Sequence, residues 1–477
     1  MPQPAALTVT LADMIYIQKE QLTGPLSNRL VRLAAFQNPE FYEAQAMRRS
    51  VWNTPRVIGC AANHPKHIAL PRGCLDAVRT LLRDNGIACH TQDERFGGDP
   101  ITAAFAGTLR ADQHDAVNAM LEHETGVLCA PTAFGKTVTA AAMIARRGVS
   151  TLVLVHRTEL LKQWRERLQI FLLLDKTSIG TIGGKKSKPS GKIDIAVLQS
   201  LTHDKEVDPL VERYGFVILD ECHHVAASSF EAVLKQVRSK YLLGLTATPI
   251  RRDGHQPIIF MQCGPIRHTA PRPREAPHIL RVIPRSVEAE IEVQADAGIQ
   301  EVFRTITVSA HRTALIAQDV KDSYGEGRKV LILTERTEHL EALRGALGDE
   351  IPNLFVLHGR MSGKQRDALI KALTALSDDA PRVLLATGRL IGEGFDHAPL
   401  DALVLAMPIA WKGTLQQYAG RLHREHANKS DVRIYDYIDT GHPALLRMWR
   451  KRERGYRAMG YAISDPVCRQ FPLTELR

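Results

Sequence analysis

The triplet Gly135-Lys136-Thr137 closes a segment, Ala130 to Thr137, that follows an apolar run and leads straight into a helical stretch. Strand, loop and helix in that order turn backbone N–H groups and the positive end of a helix toward an anion. A lysine placed there reaches terminal phosphates, and the hydroxyl of the next residue can ligate Mg²⁺. Thr132, Gly135, Lys136 and Thr137 are therefore candidate nucleotide-binding residues, and nucleotide hydrolysis is the first chemistry to expect. A second constellation sharpens this. The apolar run Phe216-Val217-Ile218-Leu219 ends in Asp220-Glu221-Cys222-His223. An aspartate at the end of a buried strand can hold the metal, with Thr137 as its partner, and the adjacent glutamate can orient or deprotonate the attacking water.

Other segments suit the same chemistry. Arg110 and Gln113 lie shortly before the loop, where a side-chain amide could read an adenine edge. Thr246-Ala247-Thr248-Pro249 follows an apolar run and carries two hydroxyls that could stand near the acids. Far downstream, Gln417 opens a stretch in which Arg421 and Arg424 fall on one helix face. Guanidinium groups delivered from there would stabilise charge on a γ-phosphate.

These residues need a scaffold of buried strands, and the chain spells one out twice. Short apolar runs at 126–130, 151–155, 193–198, 216–219 and 241–245 alternate with helical stretches, as parallel strands buried on both faces require. After a proline-rich interval the rhythm restarts at 329–334, 354–358, 382–387, 402–407 and 432–438. The expected fold is α/β: two tandem parallel-sheet lobes with a small N-terminal α+β accessory domain. The expected divisions are an accessory domain at 1–100, a first lobe at 101–253, a linker at 254–310, a second lobe at 311–440 and a basic tail at 441–477.

Composition agrees with a globular chain of about three domains at 477 residues. A surplus of 62 Lys and Arg over 52 Asp and Glu favours a polyanionic partner. Seven dispersed cysteines include no CxxC pair, which argues against a zinc ribbon or a disulfide framework. With no apolar run long enough to span a bilayer, a cytoplasmic protein without a membrane partner is expected.

Taken in order, these segments resemble the motifs of superfamily 2 helicases and translocases of the DEAD/DEAH-like kind, across roughly 105–440. Within that superfamily the chain is similar to the XPB-like and phage UvsW-like DNA helicases. The resemblance implies that the two tandem lobes are RecA-like, that Gly394 and Asp396 join the ATP site and that Gln417, Arg421 and Arg424 act in catalysis. It also implies that His156, Arg157, Gln199, His358 and Thr387 touch a nucleic-acid backbone. Ala133 and Phe134 stand where many relatives carry a glycine and a small residue. Arg251-Arg252-Asp253 lacks the central acid of the corresponding XPB-like element, which keeps a pure translocase open. The expected activity is ATP- and Mg²⁺-dependent movement on, or unwinding of, DNA. An RNA-dependent ATPase and an ATP-gated nucleic-acid clamp are the alternatives.

Overall fold

The structure is a computed structural model. It describes residues 4–131, 134–174, 176–183, 187–203, 206–223, 227–247, 254–271, 279–287, 298–387, 397–409, 415, 418–420, 422, 429 and 431–465. The chain divides into two compact units, residues 1–272 and 273–477.

In the first unit a seven-stranded sheet runs in the order Ile179–Ile182, Ile193–Val197, Thr151–Val155, Phe216–Leu219, Tyr241–Thr246, Thr125–Cys129, Ile266–Thr269. All of its pairings are parallel. The apolar runs are buried on both faces. Leu152 and Leu154 enter one core, whereas Val153 and Val155 enter the other with Met143, Ile144, Leu161 and Leu168 of the covering helices. Because the strands are parallel, every strand-to-helix loop leaves at the same edge, where sites in such sheets collect.

Residues 1–100, expected as an accessory domain, contain a five-stranded sheet in the order Ala62–Asn63, His67–Leu70, Ile15–Gln18, Ala6–Leu11, Ala88–Asp93. Their apolar side chains continue into the first lobe. Leu7, Val9, Ile17, Leu30 and Leu82 belong to the same core as Val127, Leu152 and Val217. Close approach reinforces the junction. A Cβ at Gly73 would lie 2.1 Å from the Phe260 carbonyl oxygen, so only glycine lets the two backbones meet. Within residues 1–100 two helices, Gly24–Leu33 and Pro39–Ala46, are separated by the strand Ala35–Gln37. Asn38 and Pro39 explain the restart: the Asn38 side chain accepts from Glu40 N at 3.1 Å and Pro39 takes the first helical position.

The second unit repeats the architecture in the order Leu354–Leu357, Arg382–Thr387, Lys329–Thr334, Ala402–Leu405, Asp431–Asp439, Ile279–Val287, Ala462–Ile463, again all parallel. The 254–310 stretch, expected as a linker, supplies the helix Gln256–Cys263, the edge strand Ile266–Thr269, the strand Ile279–Val287 and the helix Ile299–Val308. Buried ion pairs lock the second sheet to its helices. Arg312 meets Asp439 at 3.0 Å, Arg285 meets Asp319 at 2.8 Å, and Arg452 meets Asp436 at 2.7 Å. The last of these belongs to the expected basic tail. Its helix, Pro443–Ala458, buries Tyr456 and Arg452 against the sheet and turns Arg447, Arg450, Lys451, Arg454 and Arg457 to solvent. Among the described residues no helix is long and apolar enough to cross a membrane.

Candidate nucleotide site

The loop after the Thr125–Cys129 strand is set from below by a phenylalanine. Phe134 is fully buried in the core that holds Ala116, Val117, Met120 and Leu128. Its carbonyl oxygen accepts from Gln113 Nε2 at 2.7 Å and from Arg110 Nη2 at 3.0 Å. Gln113 Oε1 in turn accepts from the Arg110 backbone N–H at 3.0 Å. In this geometry the two residues expected to face adenine hold the loop in place, with Arg110 also lying over the Phe134 ring at 5.8 Å. Gly135 then caps the helix Lys136–Arg147 in the left-handed region, at φ 89°. A side chain there would put a Cβ 2.6 Å from Gln113 Nε2, so glycine is required twice over. Phe134→Ala is expected to lower the stability of the first lobe by about 3–5 kcal/mol, the usual result of emptying an aromatic core position. A shifted denaturation midpoint would register it, and an unchanged one would mean that the loop does not depend on this anchor.

Lys136 and Thr137 begin that helix and are only partly exposed. The Lys136 ammonium stands 3.2 Å from Glu221 Oε1 and donates to the Ala130 carbonyl at 3.4 Å. Glu221 Oε2 lies 3.4 Å from His223 Nδ1, which is 2.8 Å from Thr246 Oγ1. The circuit closes through the backbone, where Ala130 N donates to Thr246 O at 2.8 Å. Five residues from the loop, the acidic segment and the neighbouring strand exit thus form one ring. Glu221 holds φ at 46°, a left-handed conformation that costs a side-chain-bearing residue of order 1–3 kcal/mol and is tolerated where the surroundings over-determine it.

Asp220 is buried beside it and accepts from the indole N–H of Trp164 at 2.7 Å. Burial, followed by the neighbouring Glu221 charge, raises its carboxyl above the ordinary range, while the Trp164 hydrogen bond and Lys136 pull it back. A desolvated carboxylate of this kind gains from a cation. The donors expected for a cation, the Asp220 carboxylate and the Thr137 hydroxyl, are hard oxygens, which suit Mg²⁺ arriving with phosphate and water as its remaining ligands. Among the described residues no cluster of three His, Cys, Asp or Glu forms a cage of its own.

The expected backbone-contact residues sit at the C-terminal ends of strands, each within its own unit. His156 and Arg157 follow the Thr151–Val155 strand, and Gln199 is exposed just after the adjacent Ile193–Val197 strand. In the second unit His358 follows Leu354–Leu357 and Thr387 ends the neighbouring Arg382–Thr387 strand. Thr132, Gly394, Asp396, Gln417, Arg421 and Arg424 lie outside the described residues, as do Ala133 and Thr248. The structure adds Trp164 to the site, and it brings His223 and Thr246, both named from the sequence, within 2.8 Å of each other. Trp164 reads in sequence as one more apolar position on a helix face with Leu160, Leu161 and Leu168. Only its indole N–H, aimed at a buried acid, sets it apart.

The family described as type III restriction enzyme, res subunit, matches residues 106–251, and that described as helicase conserved C-terminal domain matches residues 312–426. Each match covers one of the two parallel-sheet lobes, in the expected order. The chain belongs to the superfamily 2 helicases. It is an ATP-hydrolysing enzyme of that class, and nucleic acid is its substrate. Among relatives of this helicase, a protein of Acanthamoeba polyphaga mimivirus named for ATP-dependent RNA helicase activity is 24% identical over 77% of this chain and 72% of its own. A DNA 3'-5' helicase XPB of Mycobacterium tuberculosis is 27% identical over 75% of this chain and 65% of its own. Among solved structures, Dbp5 of S. cerevisiae bound to RNA and ADP BeF3 covers 74% of the helicase and 90% of its own chain, at a TM-score of 0.52 and 14% identity, a likeness of fold.

Proposed function

We propose that this helicase couples ATP hydrolysis to movement on, or unwinding of, DNA. The observation that carries the reading is the juxtaposition of Lys136 with Glu221, within 3.2 Å, at the sheet edge where the phosphate loop ends. That pairing supports a reading in which a phosphate-seeking cation and a base-type carboxylate serve one reacting centre. In this reading Lys136 holds the terminal phosphates and Thr137 and Asp220 hold Mg²⁺, which neutralises charge on the phosphates. Glu221 orients the attacking water and takes its proton. Arg421 and Arg424 of the second lobe supply guanidinium groups to the γ-phosphate, with Gln417, Gly394 and Asp396 beside them. His156, Arg157, Gln199, His358 and Thr387 grip the backbone of one strand without reading its sequence.

DNA is favoured over RNA by the similarity to XPB-type relatives, which are named as DNA helicases or translocases. The RNA reading draws on the mimivirus relative. An ATPase panel against single-stranded, duplex and forked DNA and against RNA separates them. Stimulation by the DNA ligands is expected; stimulation by RNA alone would sink the DNA assignment. Triplex displacement then tests movement, because an ATP-gated clamp would hold DNA without displacing the third strand.

A further inference from the structure

The segment from residue 44 to residue 75 contains no Asp or Glu, yet carries Arg48, Arg49, Arg56, Lys66 and Arg72. At its centre Trp52 is 85% exposed, the most exposed of the large apolar side chains in the described residues, with Met47 at 60% close by in sequence. A tryptophan held in water forfeits the burial that makes the residue worth carrying. The turn that presents it is built rather than loose. Arg49 N donates to Ala44 O at 2.8 Å, Thr54 N to Val51 O at 3.1 Å, and Trp52 N to Ser50 Oγ at 3.3 Å. Asn53 adopts the left-handed region at φ 63°, and Arg48 does so at φ 53°. The base of the turn is pinned by Asn38, which bonds Arg56 O at 2.9 Å through its backbone and Pro55 O at 2.8 Å through its side chain.

Its position matters as much as its chemistry. The helix Pro39–Ala46, which leads into the turn, abuts the segment that follows the Thr246 strand exit. A Cβ at Gly254 would lie 2.6 Å from Pro39 Cγ, and the rings of Phe36 and His255 meet edge-on at 6.0 Å. Arg48, Arg49 and Arg56 are exposed, and none of them makes an ion pair among the described residues. Arg56 lies over the Phe41 ring at 5.7 Å, whereas Arg48 and Arg49 precede Trp52 in the same turn. An exposed aromatic ring with guanidinium groups close by in the chain is the chemistry that binds single strands by stacking and charge.

We propose that the Trp52 turn is a single-strand contact, in which the indole stacks on an unpaired base and Arg48, Arg49 and Arg56 take neighbouring phosphates. This rests on nucleic acid being the substrate. The test uses the full chain and fluorescein-labelled dT20, read by anisotropy, with ATPase activity measured without nucleic acid as a control. Trp52→Ala is expected to weaken binding roughly 5- to 100-fold, whereas Trp52→Phe, which keeps a ring, retains most of the affinity. Arg48→Gln with Arg49→Gln is expected to lower the slope of log affinity against log salt by about 1.4, two single-strand phosphate contacts. Basal ATPase and thermal midpoint stay as in the unaltered chain. If the unaltered chain binds dT20 and Trp52→Ala binds it equally well, the proposal falls and the turn is left as a protein-docking surface. Equal losses in Trp52→Ala and Trp52→Phe would overturn stacking. Absence of binding by the unaltered chain would overturn the nucleic-acid reading as well.

Discussion

Replacing Lys136 with alanine is expected to lower nucleic-acid-stimulated ATP hydrolysis by roughly 100- to 1,000-fold, the range seen when one preorganised charge-stabilising donor is removed from a reacting centre. The ammonium has two partners in the structure, the Glu221 carboxylate at 3.2 Å and the Ala130 carbonyl at 3.4 Å. Neither is strong enough to keep it from phosphate, since a triphosphate offers several charged oxygens at once. Its loss removes the only lysine of the 130–137 loop and leaves the Glu221 charge facing Asp220 without the cation between. Steady-state phosphate release, measured with saturating DNA and a circular-dichroism check of folding, decides the matter. Full activity in Lys136→Ala would end the case for a phosphate-binding loop here.

Glu221→Gln should have an effect as large by a different route. Loss of a general base costs roughly 100- to 10,000-fold in turnover. The amide keeps the size and can occupy the left-handed backbone at φ 46°, so the fold of the loop is retained. It also releases Lys136 from a carboxylate, which leaves the ammonium freer for phosphate. Nucleotide affinity is therefore expected to hold or rise while turnover collapses. Binding of a fluorescent ATP analogue and single-turnover hydrolysis report the two separately. Parallel losses in both would mean that Glu221 is structural, and unchanged turnover would move the base elsewhere.

The strands that build both lobes were legible because each is a short apolar run that two buried faces demand, as at Thr151–Val155, where all five residues are buried. The Ile279–Val287 strand was not, because Pro284 sits inside it and prolines there read as a linker. The structure accommodates it next to an edge: among the described residues Ala462–Ile463 pairs on that side with Arg281 and Val282 and not with Pro284, where a missing N–H costs little. At the N-terminus Ala6–Leu11 pairs in parallel with Ala88–Asp93, a partner that carries almost no apolar pattern of its own. Local periodicity cannot name such a partner. At the site, the loop lysine and threonine and the two acids could be read from spacing. Phe134 could not, because its reason for being there is a cavity under the loop and a carbonyl that Gln113 and Arg110 hold. Trp164, likewise, is a core residue by pattern and an acid's hydrogen-bond donor by geometry.

The ring of Ala130, Lys136, Glu221, His223 and Thr246 has no loose end. A phosphate that draws Lys136 away removes the cation facing Glu221, and the His223 imidazole then divides itself differently between the carboxylate and the Thr246 hydroxyl. The strand exit at Thr246 is thereby expected to respond to whether nucleotide is held. Reciprocity follows from thermodynamics: whatever free energy nucleotide spends in shifting Thr246, a ligand that shifts Thr246 returns in full to nucleotide affinity.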